Sequence, residues 1–471
     1  MHLRRRDQPA AVPGLGAIEL HDRTGDQRHG RAGDALTMAL SGTHTFVGFG
    51  FGAIQSNLFL YEAFQSGNFG RLVVAEVVPE VVAAIRQDGG MFRVNIAHPD
   101  GVQQASVGPV QIENPGQPDD RARLITALAD AHEISTAVPS VSFYASPDEG
   151  SLHHILAEGL RQKARAGGPR AVIYAAENHN HAAEILEARV FEAIPAAEHA
   201  TVREHVRFLN TVIGKMGGVV TSPEEMQEAG LVPVTSGGSR AFLVEAFNRI
   251  LISRIDFGNG VPFARGISVF EEKADLLPFE EAKLYGHNAA HALAAYLGWT
   301  RGLKTIAELP QQPGLMAFLR AAFIEESGGA LIRKYDGLDA LFTPAGYTAY
   351  VDDLLARMTN PYLRDTVERV GRDPQRKLGW DDRLIGTMRL ALRQGIRPVR
   401  FALGAAAALE LLRASQPGEP DVLLDSLWRD SAPDATEREA VLALIHAATD
   451  RLRAWRAAGF EPMLERVVGA G

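Results

Sequence analysis

The 471-residue sequence has no cysteine, no apolar run long enough to cross a membrane and no excess of basic residues. Without cysteine there can be no disulfide, thiolate nucleophile or Cys-ligated zinc. A formal net charge of −9 argues against a nucleic-acid partner, although it permits a local basic pocket for a small anion. Because a membrane span needs about 20 apolar residues, we expect no membrane partner either. The length favours two or three domains.

Residues 1–40 are predicted to be a disordered extension because Gly, Asp and Arg dominate them. The start, Met1-His-Leu-Arg-Arg-Arg6, resembles the basic part of a signal peptide, but no apolar segment follows it. We therefore expect no export and a cytoplasmic protein. Met38 is an alternative start of the folded part.

Residues 41–265 are predicted to form a Rossmann-like dinucleotide-binding domain. An apolar strand from Thr43 runs into glycines, residues 55–66 have a helical pattern, and a second buried strand ends at Glu76. Glycines let the backbone approach a pyrophosphate at a helix N-terminus, and the acid accepts from a ribose hydroxyl. A carboxylate at that position repels a 2′-phosphate, which favours NAD over NADP. Two glycine registers fit: Gly48/Gly50/Ala53 or Gly50/Gly52/Gln55.

Further strands of this domain are predicted at residues 134–138 and 170–176, with a helix over 152–166. Polar residues just past the second of these strands, including Asn178, would lie at the usual ligand edge of a parallel sheet. The predicted cofactor contacts are Gly48, Gly50, Gly52, Ile54, Glu76, Thr136 and Ala137.

Residues 266–471 are predicted to be an all-helical substrate domain, because strand signals fade after about residue 265. Near its start, Lys283, His287 and His291 recur at i, i+4 and i+8, which places them on one helix face beside Asn288. A lysine at such a position is more often solvated. The alternative to a reaction centre is a metal pair, His287 and His291, with Glu177 or Glu280 as third ligand.

A dense basic cluster follows in this acidic chain: Arg369, Arg372, Arg376 and Lys377. One interpretation is a surface turn that is salt-bridged to Glu368 and Asp373. The other is a clamp for a phosphate or carboxylate, which the planar guanidinium fork suits.

These stretches resemble the polyol-specific long-chain dehydrogenases, the mannitol dehydrogenase family. The resemblance rests on Lys283-x4-Asn288-x2-His291, on Asn360–Leu378 and on Ile324-Glu-Glu-Ser-Gly328, and it extends over roughly residues 43 to 465. Within the family, the chain is most similar to the branch that acts on mannitol 1-phosphate. The resemblance implies a zinc-independent, NAD(P)-dependent enzyme with a Rossmann-like domain and a helical domain.

The resemblance also implies roles for individual residues. Five would be catalytic: Lys283 as general base, Asn178 and Asn288 as donors to the reacting oxygen, His291 as a substrate contact and Glu280 as proton relay. Four would bind substrate: Arg369, Arg372, Arg376 and Lys377. Arg372 and Arg376 resemble the pattern of the branch that acts on phosphorylated substrates.

Three positions depart from the family pattern. Ser56 replaces an arginine, Gly214 replaces an acid, and His287 replaces an apolar or small residue. The leading hypothesis is an NAD-dependent, metal-free enzyme, monomeric or a small homo-oligomer, that interconverts a polyol phosphate and a keto-sugar phosphate. The alternatives are the same chemistry on a free hexitol or a hexuronate-type acid, and a non-catalytic NAD-binding protein.

Overall fold

The computed structural model describes residues 42–258, 260–461 and 464–469. The predicted extension, residues 1–40, lies outside this part of the chain. Among the described helices, none is both long enough and apolar enough to cross a membrane.

The first half of the described chain is built on two β-sheets. The strands are β1 His44–Phe49, β2 Phe69–Ala75, β3 Phe92–His98, β4 Gly101–Val107, β5 Gln111–Glu113, β6 Glu133–Thr136, β7 Ala171–Ala175, β8 Val206–Val212, β9 Gly217–Val220, β10 Ala241–Glu245, β11 Leu251–Ser253 and β12 Glu271–Lys273. The larger sheet has the order β12-β11-β8-β7-β6-β1-β2-β5, and the six strands from β8 to β5 are parallel. This is the doubly wound order of a dinucleotide-binding fold, whose topological switch point lies between β1 and β6.

The smaller sheet, β4-β3-β10-β9, was not predicted as a separate sheet. Strand β10 pairs in parallel with β3 and antiparallel with β9, so strands far apart in sequence form it. The predicted boundary near residue 265 also precedes β12, which pairs with β11. Its three residues, Glu-Glu-Lys, carry no apolar signal from which a strand could be predicted.

Helices flank the larger sheet and make up most of the second half of the chain. The helices are α1 Tyr61–Ser66, α2 Pro79–Gln87, α3 Pro118–Asp130, α4 Leu152–Ala166, α5 Ala182–Glu192, α6 His199–His205, α7 Pro223–Glu228, α8 Leu277–Glu281, α9 Ala289–Thr300, α10 Leu315–Ala321, α11 Gly329–Lys334, α12 Pro344–Met358, α13 Val367–Gly371, α14 Pro374–Lys377, α15 Ile385–Arg393, α16 Val399–Ser415, α17 Pro420–Trp428, α18 Ala435–Ala457 and α19 Leu464–Gly469. Three π-helical segments continue into α1, α9 and α11, respectively: Gln55–Leu60, Ala282–Asn288 and Ala322–Gly328.

Helix α9 is the buried centre of the helical part. Its sequence is apolar all round, and a helix with that pattern must be covered on every side. Small residues let α16 approach closely, since a Cβ at Gly404 would lie 2.6 Å from a methyl carbon of Leu293. The same apolar core includes Ala97 and Leu243 from the smaller sheet, so the helices pack directly on the strands.

One buried lysine ties α4 to its neighbours in the dinucleotide-binding part. Lys163 is fully buried, and its Nζ donates to the carbonyl oxygens of Ala129 at 3.0 Å, Ala131 at 2.6 Å and Pro169 at 2.9 Å. Three acceptors use all three protons of an ammonium group. The lysine therefore satisfies the carbonyls at the end of α3 and in the loop before β7.

We predict that Lys163→Met lowers the free energy of unfolding by about 2 to 4 kcal/mol, because three buried carbonyls lose their donor. Urea denaturation at neutral pH measures this change. The matched control is Lys304→Met at an exposed position, which should alter stability by less than about 0.5 kcal/mol. Equal midpoints for the two variants would show that the buried ammonium is not a structural link.

Candidate active site

A cleft of about 980 Å³ lies at the carboxyl end of the parallel strands, beside the switch point. Gly50 and Gly52 line it from the loop after β1, Ile54 from the first turn of the helix that follows, Glu76 from the end of β2, and Ala137 from the end of β6. These are five of the seven predicted cofactor contacts. Ligands of doubly wound sheets bind at this edge.

Gly48, Gly50 and Gly52 have different structural roles. Gly50 has a φ of +85°, and a Cβ there would lie 2.8 Å from the carbonyl oxygen of Ala137. A Cβ at Gly52 would meet no protein atom within 4 Å, so the backbone at this point is open to close approach by a ligand. Gly48 lies inside β1 against the side chain of Gln55 and does not line the cleft. The geometry thus favours the Gly50/Gly52 register.

Glu76 is held by backbone donors and still faces the cleft. One carboxylate oxygen accepts from the N–H of Phe51 at 2.8 Å, and the other accepts from the N–H groups of Val77 at 2.7 Å and Val78 at 2.9 Å. This fixes the acid at the loop that carries the glycines. Ser56, which departs from the family pattern, is fully buried and lies outside the cleft lining.

Buried Glu177 fastens the end of β7 to the loop after β6. Its carboxylate accepts from the hydroxyls of Thr136, at 2.9 Å, and Tyr144, and from the N–H of Val138, at 2.9 Å. Burial raises the pKa of Glu177, while these hydrogen bonds oppose the rise. Thr136, a predicted cofactor contact, therefore points to Glu177 and lies outside the cleft lining.

A second cavity of about 290 Å³ brings together most of the predicted catalytic and substrate-binding residues. The predicted residues that line it are Asn178, Lys283, Asn288, His291, Arg369, Arg372, Arg376 and Lys377. Glu280 does not line it. Asp365 and Arg383 also line the cavity and were not predicted.

Lys283 and Asn288 share this cavity because the helix between them is widened. In an α-helix, residues five apart are rotated by about 140° about the axis. The π-helical turn Ala282–Asn288 bonds i to i+5 and brings the two side chains to one side. The Nζ of Lys283 donates to the Oδ1 of Asn178, at 3.2 Å, across the gap to the end of β7.

Side chains from two other helical segments satisfy the widened turn. The carbonyl oxygen of Tyr285 accepts from the hydroxyls of Ser327, at 2.7 Å, and Thr387, at 3.1 Å. A Cβ at Gly286 would lie 2.7 Å from the hydroxyl of Tyr347, so only glycine fits against that side chain. The segment with Ser327 is itself π-helical and contains the family motif Ile324–Gly328.

The charge state of Lys283 is set mainly by burial. Desolvation lowers the pKa of Lys283 to about 8; the cation of Arg383 contributes and Glu280 opposes. Burial and Glu184 raise the pKa of Glu280 to about 7, while Lys283 opposes the rise. An uncharged lysine is thus accessible near neutral pH, with a neighbouring carboxyl that titrates in the same range.

His291 belongs to a buried charged group. Its Nε2 lies 3.1 Å from an Oδ of Asp365, whose other oxygen accepts from Arg369. Burial alone would raise the pKa of Asp365, but His291 and Arg369 outweigh it and lower that pKa. The predicted substrate contacts His291 and Arg369 are therefore oriented by a carboxylate that the sequence analysis missed.

The remaining basic residues are only partly neutralised. Arg376 lies 3.5 Å from Asp373, which agrees in part with the salt-bridged turn, but Arg376 also lines the cavity. Lys377 is buried and donates to the carbonyl oxygen of Arg372. Burial, with Arg383 and Arg376, lowers the pKa of Lys377 to about 8. Cations outnumber acids in this cavity.

His287 is buried in the wall beside Lys283. Burial and the neighbouring His291, Arg357 and Lys283 hold its pKa well below the usual range, so the imidazole is neutral. Within the described residues, no three His, Asp or Glu side chains converge where they could hold a metal ion. Glu177, a third ligand in the metal alternative, is taken up by its three donors.

Gly214 also lies in this wall. Its carbonyl oxygen accepts from Arg357 at 3.0 Å. The Nζ of Lys215 donates to the carbonyl oxygens of Glu245, at 2.6 Å, and Phe247, at 2.7 Å. A neighbouring cavity of about 660 Å³ shares Gly214, Lys283 and His287 with the smaller one.

Comparison with known proteins identifies the family. The profile of the mannitol dehydrogenase C-terminal domain matches residues 275–449. A mannitol-1-phosphate 5-dehydrogenase from Bacillus licheniformis is 31% identical over 369 residues, which cover 75% of this chain and 88% of the relative. The chain belongs to the mannitol dehydrogenase family. The resemblance predicted from the sequence motifs is confirmed.

Solved structures confirm the fold predicted for this mannitol dehydrogenase family member. Pseudomonas fluorescens mannitol 2-dehydrogenase, in a ternary complex with NAD and D-mannitol, superposes with a TM-score of 0.63 at 17% identity over 91% of this chain and 94% of that one. A substrate-free D-sorbitol dehydrogenase gives a TM-score of 0.63 at 16% identity over 91% and 92%. A Rossmann-like sheet followed by a large helical part is common to them.

For this family member we predict that kcat/KM for alcohol oxidation rises with pH and levels off above about pH 8. Below its pKa of about 8, Lys283 is protonated and cannot accept the hydroxyl proton. Initial rates of NADH formation across pH 6 to 10 measure the profile.

Lys283→Met should lower kcat by about 10² to 10⁴ and remove this pH limb, while NAD binding followed by calorimetry persists. A variant that keeps full turnover would exclude Lys283 as the base. Turnover that is absent in the parent enzyme, with NAD still bound, would indicate a non-catalytic NAD-binding protein.

Proposed function

We propose that this protein is an NAD-dependent dehydrogenase that reversibly oxidises a secondary alcohol of a polyol phosphate to a keto-sugar phosphate. One observation carries the proposal: a single cavity contains a lysine whose pKa is lowered to about 8, two asparagines beside it, and a cluster of arginines with few acids. The curated relative that shares 31% identity is named for mannitol 1-phosphate.

The cleft beside the switch point fits NAD. Its open backbone at Gly52, the turn at Gly50 and the helix that begins at Ala53 suit a pyrophosphate, and Glu76 suits a ribose hydroxyl. When bound, NAD supplies the hydride acceptor for the alcohol carbon. The family's zinc-independent chemistry needs no further group.

The chain itself supplies the proton acceptor and the oxygen donors. Lys283, in its neutral form, takes the hydroxyl proton of the substrate. The amide groups of Asn178 and Asn288 donate to the oxygen as negative charge develops on it. Because the Oδ1 of Asn178 accepts from Lys283, its Nδ2 is free to donate to the substrate. Glu280, with a pKa of about 7, then passes the proton towards solvent.

The basic residues support a phosphorylated substrate. Arg372 lines the cavity and, within the described residues, its guanidinium has no side-chain or backbone acceptor. Guanidinium groups bind phosphate through two parallel hydrogen bonds. A free hexitol has no charge with which to neutralise the cluster, so it fits the same cavity less well.

We predict NADH formation with mannitol 1-phosphate and a kcat/KM at least about 10-fold lower with unphosphorylated hexitols, which lack a charge-assisted contact. Hexuronates should also react more slowly, because a carboxylate carries less negative charge than a phosphate. Arg372→Ala should raise KM for the phosphorylated substrate alone. The control is Arg320→Ala, which removes an exposed arginine that is paired with Asp352, outside the cavity. Equal rates with all substrates would contradict phosphate recognition.

The cofactor preference is a separate prediction. Glu76→Ser should reduce the ratio of kcat/KM for NAD to that for NADP by about 10-fold, because the carboxylate that repels a 2′-phosphate is lost. The control is Glu80→Ser, which removes an exposed acid of α2 outside the cleft lining. An unchanged ratio would show that Glu76 does not select the cofactor.

A further inference from the structure

Arg383 is a cavity residue that neither the motif nor the basic cluster predicted. It lies between the turn after α14 and the start of α15, and its side chain is 13% exposed. Its Nε donates to Asp382 at 2.7 Å. In the described part of the chain, neither terminal nitrogen of the guanidinium has a hydrogen-bond partner. Two N–H₂ groups are therefore available to a ligand.

Most other cations of this cavity already have acceptors. Arg369 pairs with Asp365, Arg376 lies near Asp373, and Lys377 donates to a backbone carbonyl. Among the described residues, the terminal nitrogens of Arg372, Arg376 and Arg383 have no acceptor, and Arg383 is the most buried of the three. A guanidinium fork of this kind can hold a phosphate through bidentate hydrogen bonds.

Arg383 also acts on the lysine proposed as base. It is the cation that, after burial, most lowers the pKa of Lys283, and it has the same effect on Lys377. A dianion bound at Arg383 would oppose its field at Lys283, since opposite charges at similar distances cancel. The anion site and the base are thus linked through one guanidinium.

We propose that Arg383 binds the anionic end of the substrate and couples occupancy of that site to the proton held by Lys283. The inference rests on the proposed function. Before the substrate binds, the guanidinium favours the uncharged form of the lysine, which is the form that accepts the hydroxyl proton. After the anion binds, the lysine retains the proton more firmly, which suits it to return the proton when the ketone is reduced.

The test uses the full-length enzyme with Arg383→Gln, Arg383→Lys and a control, Arg393→Gln. Arg393 is exposed at the end of α15 and pairs with Glu437 outside the cavity, so it controls for the loss of one positive charge. For each protein, KM is measured with mannitol 1-phosphate and with mannitol, and kcat and kcat/KM are followed from pH 6 to 10. The pKa from kcat/KM reports the free enzyme, and that from kcat the loaded enzyme.

Arg383→Gln should raise KM for mannitol 1-phosphate about 10- to 100-fold and for mannitol less than about 2-fold. Its kcat/KM profile should move to higher pH, because Lys283 loses a neighbouring cation. Arg383→Lys should keep the parent profile, since the charge remains, but raise KM, since the planar fork is lost. Arg393→Gln should match the parent in both respects.

An unchanged KM ratio in Arg383→Gln overturns the anion contact, and an unchanged pH profile overturns the coupling. If that variant does not fold, the coupling is tested on the parent enzyme. With mannitol 1-phosphate, the pKa obtained from kcat must be higher than the pKa obtained from kcat/KM, whereas with mannitol the two must agree. Equal values with mannitol 1-phosphate overturn the inference. If no phosphorylated polyol is turned over, the proposed function fails. The inference then stands or falls separately on whether inorganic phosphate binds the parent more tightly than Arg383→Gln by calorimetry.

Discussion

The candidate site depends on one widened helical turn, Ala282–Asn288. Without the i to i+5 spacing, Lys283 and Asn288 would point in different directions, and no other described element supplies a second amide beside the lysine. A π-turn weakens the regular ladder, so its free carbonyl must find other donors. Ser327 and Thr387 provide them from two separate helical segments. Two helical segments of the second half of the chain therefore stabilise this π-helical turn.

The second constraint is electrostatic. In this acidic protein, one small cavity is lined by Arg369, Arg372, Arg376 and Arg383, and Asp365 is the buried acid that lines it. That acid is committed to His291 and Arg369, so it offsets little of the field felt by an incoming anion. Burial and like charges both disfavour an additional proton on Lys283. Anion recognition and an uncharged lysine thus have a common physical origin.

Much of the fold could be predicted from the sequence because strand period, glycine turns and a terminal acid are local signals. The cavity residues followed from motif spacing for the same reason. What could not be predicted depends on distant partners: the π-turn needs Ser327 and Thr387, and the loop after β6 is bonded to Glu177. Arg383 lies past the motif. Gly48 packs against Gln55 and Thr136 donates to Glu177, so neither lines the cleft.

The hydrogen bonds of Glu177 bear on which parts of the site can vary. It fixes the loop of the cofactor cleft to the strand end that carries Asn178, and none of its partners belongs to the helical half. The basic residues, by contrast, lie on the short segment 369–383. Substitutions there can change the charges that face the substrate. They leave in place the hydrogen bonds of Glu177 that join the cofactor loop to the end of β7. A change of charge within these fifteen positions therefore need not disturb the contacts that hold the cofactor loop.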